Sequence, residues 1–104
     1  MPKGAMLSSA NLSYTPVMGA QFYGTSSESV KNLTSPLFHI GGTGYGLTTM
    51  GLGGHTIIMH DFDPSEMLSL IERHRVTNAF LVPTTIKMLL DALESRPTDL
   101  ASLL

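Results

Sequence analysis

The clearest pattern of apolar and polar positions lies between residues 63 and 75. Asp63 and Pro64 stand in the order typical of a helix N-cap and a first helical position. Four residues then follow at the spacing of one helical face: Met67, Leu70, Ile71 and His74. The pattern predicts an amphipathic helix packed on a sheet, with His74 as a partly buried, hydrogen-bonded histidine on its inner face.

Short apolar runs on both sides of this helix predict strands. Such runs cover residues 5–7, 32–37, 55–59 and 79–82, and the third is rich in β-branched side chains typical of a buried strand. Residues 40–52 are rich in glycine, which is compatible with either a loop or a tightly packed helix.

Two further helices are predicted from weaker signals. One begins after a cap at Ser8 or Ser9 and continues to Phe22, although Pro16 and Gly19 weaken it. The other begins at Thr84 and has an apolar face formed by Ile86, Leu89, Leu90 and Leu93. Strands that alternate with helices predict an α/β fold, part of a mainly parallel sheet covered by helices.

Functional sites of such sheets lie where the strands end and loops lead into helices. Here those positions are residues 8–9, 37–42, 60–63 and 82–84. His39 follows an apolar strand at such an end and precedes two glycines, which makes it a candidate pocket residue.

Charged residues are scarce, at 13% of the 104 positions against about 25% in ordinary soluble domains. The uncharged windows 32–60 and 76–86 therefore indicate interior segments. Three histidines and seven glycines make the first window too polar for a membrane span. A net charge of −2 with scattered basic residues indicates neither nucleic acid nor an anionic membrane as partner.

Several kinds of site are excluded by residue type or spacing. The chain has no cysteine, and residues 41–46 match neither the dinucleotide nor the P-loop glycine spacing. The histidines meet no metal-ligand pattern, so no metal site is predicted. No nucleophile elbow is present either. The N-terminal residues lack the apolar segment of a secretory signal, which favours the cytoplasm.

Five segments in their order and spacing resemble AMP-dependent acyl-CoA synthetases, of the luciferase-like adenylate-forming superfamily. They are PKGAMLSSANL at 2–12, PLFHIGG at 36–42, GGHTII at 53–58, FDP at 62–64 and VPT at 82–84. The resemblance extends over essentially all 104 residues, and PLFHIGG favours the acyl-CoA ligase branch.

The resemblance implies an ATP-dependent, AMP-forming ligase. Such enzymes activate a carboxylic acid, here a fatty or other apolar acid, to an acyl adenylate and then transfer the acyl group to coenzyme A. ATP, Mg²⁺ and coenzyme A are the implied cofactors. Because the family's later adenine, ribose and catalytic-lysine motifs are not found here, residues 1–104 are expected to be a slice of the large N-terminal domain. Such a slice is expected to be inactive alone and to bind these cofactors poorly.

The resemblance also assigns site residues. Pro2, Lys3 and Gly4 match the end of the loop that embraces the ATP phosphates. His39 matches the position that lines the acyl pocket near the reacting carboxylate and gates pantetheine. Further pocket positions are Gly41, Gly42, Tyr45, Phe80, Val82, Pro83 and Thr84. Ser9 departs from the histidine that is often found there, so no role is carried over to it.

Two other functional classes stay open at this point. One is a stand-alone α/β binding or assembly module whose sheet edges pair with another chain. The other is a flavodoxin-like nucleotide binder, which the glycine spacing disfavours. The expected partners are a small carboxylic acid and the rest of a longer chain, and homo-oligomer formation is an open alternative.

Overall fold

A computed structural model describes residues 1–103. Its elements in chain order are α1 (Ser9–Phe22), β1 (Val30–Leu33), α2 (Ile40–Gly51), β2 (His55–Ile58), α3 (Pro64–His74), β3 (Asn78–Phe80) and α4 (Pro83–Ser95). The strands form one parallel sheet in the order β2, β1, β3. The predicted α/β class with a parallel sheet is confirmed.

The two crossover connections place helices on both faces of the sheet. The chain runs from β1 through α2 to β2, and then returns through α3 past β1 to β3. Two right-handed crossovers in opposite directions put α2 and α3 on opposite faces. α1 packs on α2, and α4 packs on α3. The central strand β1 is therefore covered on both sides.

The apolar core lies between the sheet and the α3–α4 pair. Met67, Leu68 and Ile71 of α3 are fully buried there, together with Val76. The predicted inner face of α3 is thus confirmed, except at its last position. His74 is exposed, contrary to the sequence prediction, because α3 ends there and the left-handed C-cap that follows turns the chain away.

Side-chain caps fix the starts of two helices. The Asp63 Oδ1 accepts a hydrogen bond of 2.7 Å from the Glu66 amide, as expected for the N-cap of α3. At α1 the cap is Ser8, one of the two predicted residues, whose Oγ accepts from the Asn11 amide at 3.1 Å. The Asn11 Oδ1 accepts in turn from the Ser8 amide, so the bond is reciprocal.

Replacing the cap of α3 is expected to destabilise the protein. Asp63→Ala leaves the Glu66 amide without its acceptor, and the expected loss is about 1 kcal/mol of unfolding free energy. Urea denaturation of the wild-type and variant proteins measures the loss. Asp61→Ala is the matched control, since Asp61 is exposed and its carboxylate contacts the equally exposed His60 ring. An equal loss in both variants would contradict the capping role.

The strands are shorter than the sequence predicts, and one predicted strand is wrong. Residues 5–7 form no strand and are exposed. The second predicted strand begins earlier, at Val30, and ends at Leu33. Pro36 has no amide hydrogen for a sheet, and its carbonyl instead accepts the His39 amide in a turn. The strand predicted at 55–59 is shortened to β2, which is only partly buried, and the strand predicted at 79–82 is shifted to β3, which begins one residue earlier and ends at Phe80.

The glycine-rich residues 40–52 contain helix α2 (Ile40–Gly51), so the second of the two predicted alternatives is confirmed. The window 32–60 is interior only in part. β1, Thr48 and Thr49 are buried, as expected, whereas Phe38 is 94% exposed and Ile40 is also exposed.

Candidate functional site

An apolar pocket of about 480 Å³ lies between α1, α2 and β3. Its lining includes Phe80, the last residue of β3, and Ile40, the first residue of α2, and thus reaches the carboxyl end of the sheet, where functional sites of parallel sheets are found. Its lining comes from α1 and the residue that follows it (Tyr14, Thr15, Met18, Tyr23), from α2 (Ile40, Gly41, Gly44, Tyr45, Thr48) and from β3 (Ala79, Phe80). An apolar lining with a few hydroxyl groups suits a ligand with an apolar body.

Two glycines on α2, Gly41 and Gly44, leave room for this pocket. A Cβ at Gly41 would lie 3.2 Å from the Phe80 ring, so the pocket wall is tight at that point. A Cβ at Gly44 would meet nothing closer than the Ile40 side chain at 3.6 Å. The two glycines are three residues apart and therefore lie on the same helical face, which widens the pocket along α2.

His39 starts α2 at the rim of the pocket. Its extended backbone makes it the N-cap, and its Nδ1 accepts a hydrogen bond of 3.1 Å from the Gly41 amide. The ring is exposed and is not part of the lining. His39 therefore holds the first turn of α2 while its ring remains accessible from outside.

Tyr45 links the pocket to the centre of the sheet. Its ring lies 5.7 Å from the Phe80 ring, centroid to centroid. The same Tyr45 ring also contacts Lys31, whose Nζ lies 4.3 Å from the ring centroid in a cation–π arrangement. Lys31 is fully buried on β1, and neither its Nζ nor the Tyr45 hydroxyl has a hydrogen-bond partner among residues 1–103.

Burial shifts the pKa values of both Lys31 and Tyr45. Desolvation lowers the pKa of the Lys31 ammonium below its usual value, because the charged form loses its hydration. The same effect raises the pKa of the Tyr45 phenol. Tyr45 therefore remains a neutral hydrogen-bond donor at physiological pH.

A second hollow of about 400 Å³ lies beyond the carboxyl ends of β1 and β2, lined by residues 34–38 and 58–61. His60 and Asp61 are exposed there, and their side chains are 2.7 Å apart. The hydrogen bond to the Asp61 carboxylate and its charge raise the pKa of His60. None of the buried, unpartnered side-chain polar atoms found among residues 1–103 belongs to the lining of this hollow, and its histidine–aspartate pair is open to solvent.

The structure brings together only some of the site residues expected from the resemblance. Gly41, Tyr45 and Phe80 line the pocket between α1, α2 and β3. Gly42 faces the opposite way, against the backbone of Ser35 and Pro36. Val82, Pro83 and Thr84 begin α4 and are exposed. Pro2, Lys3 and Gly4 lie in the exposed segment before α1.

The sequence reasoning missed the contribution of α1 to the pocket. Tyr14 and Met18 are four residues apart on that helix and form one wall with Tyr23. The available signal was this i, i+4 pair of large apolar side chains on a helix that otherwise has little amphipathic character. Lys31 was missed as well, because a charged residue is not expected in a buried central strand.

Two negative findings concern residues 1–103. None of their helices is both long and apolar enough to cross a membrane. They also contain no group of three or more histidine, aspartate or glutamate side chains arranged to hold a metal ion.

Comparison with known proteins shows the family. The sequence profile of the AMP-binding enzymes matches residues 1–104. The chain belongs to this family. Among curated AMP-binding relatives, feruloyl-CoA synthase from an Amycolatopsis species is 37% identical over 98% of the chain, and indoleacetate–CoA ligase from Aromatoleum aromaticum is 33% identical over 98%.

A solved structure supports the same assignment. A Rhodopseudomonas palustris protein assigned as a long-chain-fatty-acid CoA ligase superposes with a TM-score of 0.87 over 98% of the chain, at 32% identity. The chain spans 25% of that protein and about a fifth of the two curated relatives. The resemblance to adenylate-forming CoA ligases found in the sequence is therefore confirmed.

Proposed function

We propose that this chain is the acid-binding part of an adenylate-forming CoA ligase that acts on a carboxylic acid with an apolar body. The observation that carries the proposal is the pocket between α1, α2 and β3, whose apolar lining reaches Phe80 at the carboxyl end of the sheet. The names of two relatives, feruloyl-CoA synthase and indoleacetate–CoA ligase, support an aryl acid, whereas the sequence favoured a fatty acid.

The proposed reaction has two steps. A carboxylate oxygen of the acid attacks the α-phosphorus of ATP, which forms the acyl adenylate and releases pyrophosphate. The thiol of coenzyme A then attacks the acyl carbon and releases AMP. Activation is needed because a carboxylate is a poor electrophile until AMP becomes its leaving group, and groups that stabilise phosphate charge speed the step.

Residues of this chain have defined parts in that proposal. The pocket holds the body of the acid, with its carboxylate at the rim beside His39 and the start of α2. His39 is exposed there, which suits a residue that gates the approach of pantetheine. Val82, Pro83 and Thr84 begin α4 next to the same sheet end, as a further wall.

Lys3 is the residue proposed to lie beside the ATP phosphates, with Pro2 and Gly4. Its ammonium is exposed, and a Cβ at Gly4 would meet nothing within 4 Å, so this segment has room for a phosphate group. We assign no Mg²⁺ ligand to the described residues, because they contain no metal-binding cluster.

Apolar surface supports the proposal that residues 1–104 are one part of a larger N-terminal domain. Phe38, Ile58 and Leu90 are all more than half exposed. Burial of these side chains by residues outside this chain would contribute about 25 cal/mol of favourable free energy per Å² of apolar surface removed from water.

ATP–pyrophosphate exchange tests the proposal. The full-length protein is expected to exchange labelled pyrophosphate into ATP only when an apolar or aromatic acid is present, and to form the acyl-CoA when coenzyme A is added. The 104-residue chain alone is expected to be inactive. The proposed function is contradicted if no acid in a panel of aromatic and fatty acids supports exchange, and the proposed incompleteness is contradicted if the short chain turns over.

A further inference from the structure

Two exposed histidines lie close together at the amino end of the sheet. His55 is the first residue of β2, and His74 is the last residue of α3. Their ring centroids are 6.3 Å apart, and the two ring planes are inclined by 76°. Phe80, which lines the pocket, ends β3 at the opposite end of the same parallel sheet. The histidine pair is therefore separate from the proposed acid-binding site.

The fold places both histidine side chains on the α3 side of the sheet. His55 and Ile57 are two residues apart on β2 and point to the same face, and Ile57 packs against the core to which α3 contributes Ile71. His74 follows Ile71 by three residues, so both lie on one face of α3. The inner face of α3 thus extends past the core and ends beside His55, where His74 has a neighbour but remains exposed.

The separation of the two rings suits a shared metal ion. Zn²⁺ bonds an imidazole nitrogen at about 2.0–2.1 Å, which places the centroids of two rings that share the ion roughly 5–6.5 Å apart. The observed 6.3 Å lies at the open end of this range. Exposed side chains change rotamer within picoseconds to nanoseconds, so both rings can turn their nitrogens towards one ion without movement of the backbone.

The local charges are compatible with a cation at this position. His74 is in the last turn of α3, where the unpaired carbonyl groups carry a partial negative charge. The guanidinium of Arg75 donates a hydrogen bond of 3.0 Å to the Asp99 carboxylate, which offsets its positive charge. Arg73 is next to His74 in sequence, and adjacent residues of a helix do not face each other.

We propose that His55 and His74 together bind one divalent transition-metal ion of the Zn²⁺, Ni²⁺ or Cu²⁺ class. Imidazole nitrogens suit these ions, whereas Mg²⁺ and Ca²⁺ prefer oxygen ligands. The pair is smaller than the three-residue groups that residues 1–103 lack, so water completes the coordination. The bound ion connects the first residue of β2, an edge strand among these residues, to the end of α3. The inference is independent of the proposed ligase function.

Calorimetric titration of the full-length protein, without an affinity tag, with ZnCl₂ tests the proposal. His55→Phe and His74→Phe each keep an aromatic ring at the contact but remove the ligand nitrogens. Each variant is expected to weaken Zn²⁺ binding by about tenfold or more, since even the partners that orient a metal ligand are worth about 10–100-fold in affinity.

His60→Phe is the matched control for the loss of an exposed histidine. His60 lies beyond the carboxyl end of β2, and its ring contacts the Asp61 carboxylate at 2.7 Å. This variant is expected to retain the wild-type affinity for Zn²⁺. Wild-type affinity in both His55→Phe and His74→Phe would overturn the inference, and so would an equal loss in His60→Phe, which would indicate adventitious binding to surface histidines.

Thermal denaturation separates a metal site from a purely aromatic contact between the two rings. An ion that binds the folded state more tightly than the unfolded state raises the melting temperature. Excess Zn²⁺ is therefore expected to raise the melting temperature of the wild type and of His60→Phe, but not that of His55→Phe or His74→Phe, and EDTA should reverse the rise. An unchanged or lower melting temperature of the wild type in Zn²⁺, or an equal shift in all four proteins, would overturn the inference.

Discussion

Gly42→Ala is expected to destabilise the full-length protein by about 3 kcal/mol, the upper part of the range for overpacked sites. Gly42 is buried in the first turn of α2. A Cβ there would lie 2.8 Å from the Ser35 carbonyl oxygen and from the Pro36 carbonyl carbon, and closer still to the Pro36 oxygen. These are backbone atoms of the turn that ends at His39, so they cannot move aside as a flexible side chain can. Urea denaturation measures the loss.

Gly44→Ala is the matched control, two residues further along the same helix. Its Cβ would make only ordinary contacts with the Ile40 side chain, at 3.6 and 3.9 Å. Because alanine is a better helix former than glycine, the expected effect is a gain of about 0.5–1 kcal/mol. If both variants lost the same stability, the close approach of α2 to Pro36 would not explain the glycine at position 42.

Gly44→Phe is expected to lower kcat/KM for the acid by about 100-fold or more. A single methylene in an apolar pocket already changes the discrimination between two substrates by about one to three kcal/mol, or about 10–200-fold, and a phenyl ring is much larger. Gly44 lines the pocket, and a phenyl ring built there would enter the space between α2 and α1. The free energy of unfolding should change less than the kinetics, because the phenyl ring enters an empty pocket and does not clash with backbone atoms. Steady-state kinetics with coenzyme A and ATP saturating measures the effect.

Met50→Phe controls for the added ring. Met50 lies on α2, is 70% exposed and takes no part in the pocket. The control should retain the wild-type kcat/KM. An unchanged rate in Gly44→Phe would contradict the assignment of the acid to this pocket.

The elements that were predictable from sequence have local causes. Asp63 caps α3 through its own side chain, and the inner face of α3 repeats every three to four residues, so both features are visible in a short window. Ser8 is similar, because its bond partner is three residues away. The α/β class also followed from the alternation of such local elements.

What was not predictable depends on pairing across the chain. The first and last residues of β1 are determined by its hydrogen-bonded pairing with β2 and β3. Lys31 is accommodated in this buried strand with its ammonium against the Tyr45 ring of α2. Likewise, Tyr14 and Met18 become pocket residues only because α1 packs on α2. The resemblance supplied Gly41, Tyr45 and Phe80 as pocket positions, but it gave no information on the α1 wall.

Photoaffinity labelling tests the central claim that the pocket between α1, α2 and β3 receives the acid. The probe is a phenylpropenoic acid with a para diazirine, irradiated on the full-length protein with ATP and then mapped by peptide mass spectrometry. Labelling is expected on residues 14–23 or 40–48, and an excess of the unmodified acid should prevent it. Competed labelling confined to residues 34–38 and 58–61, the second hollow, would contradict the account.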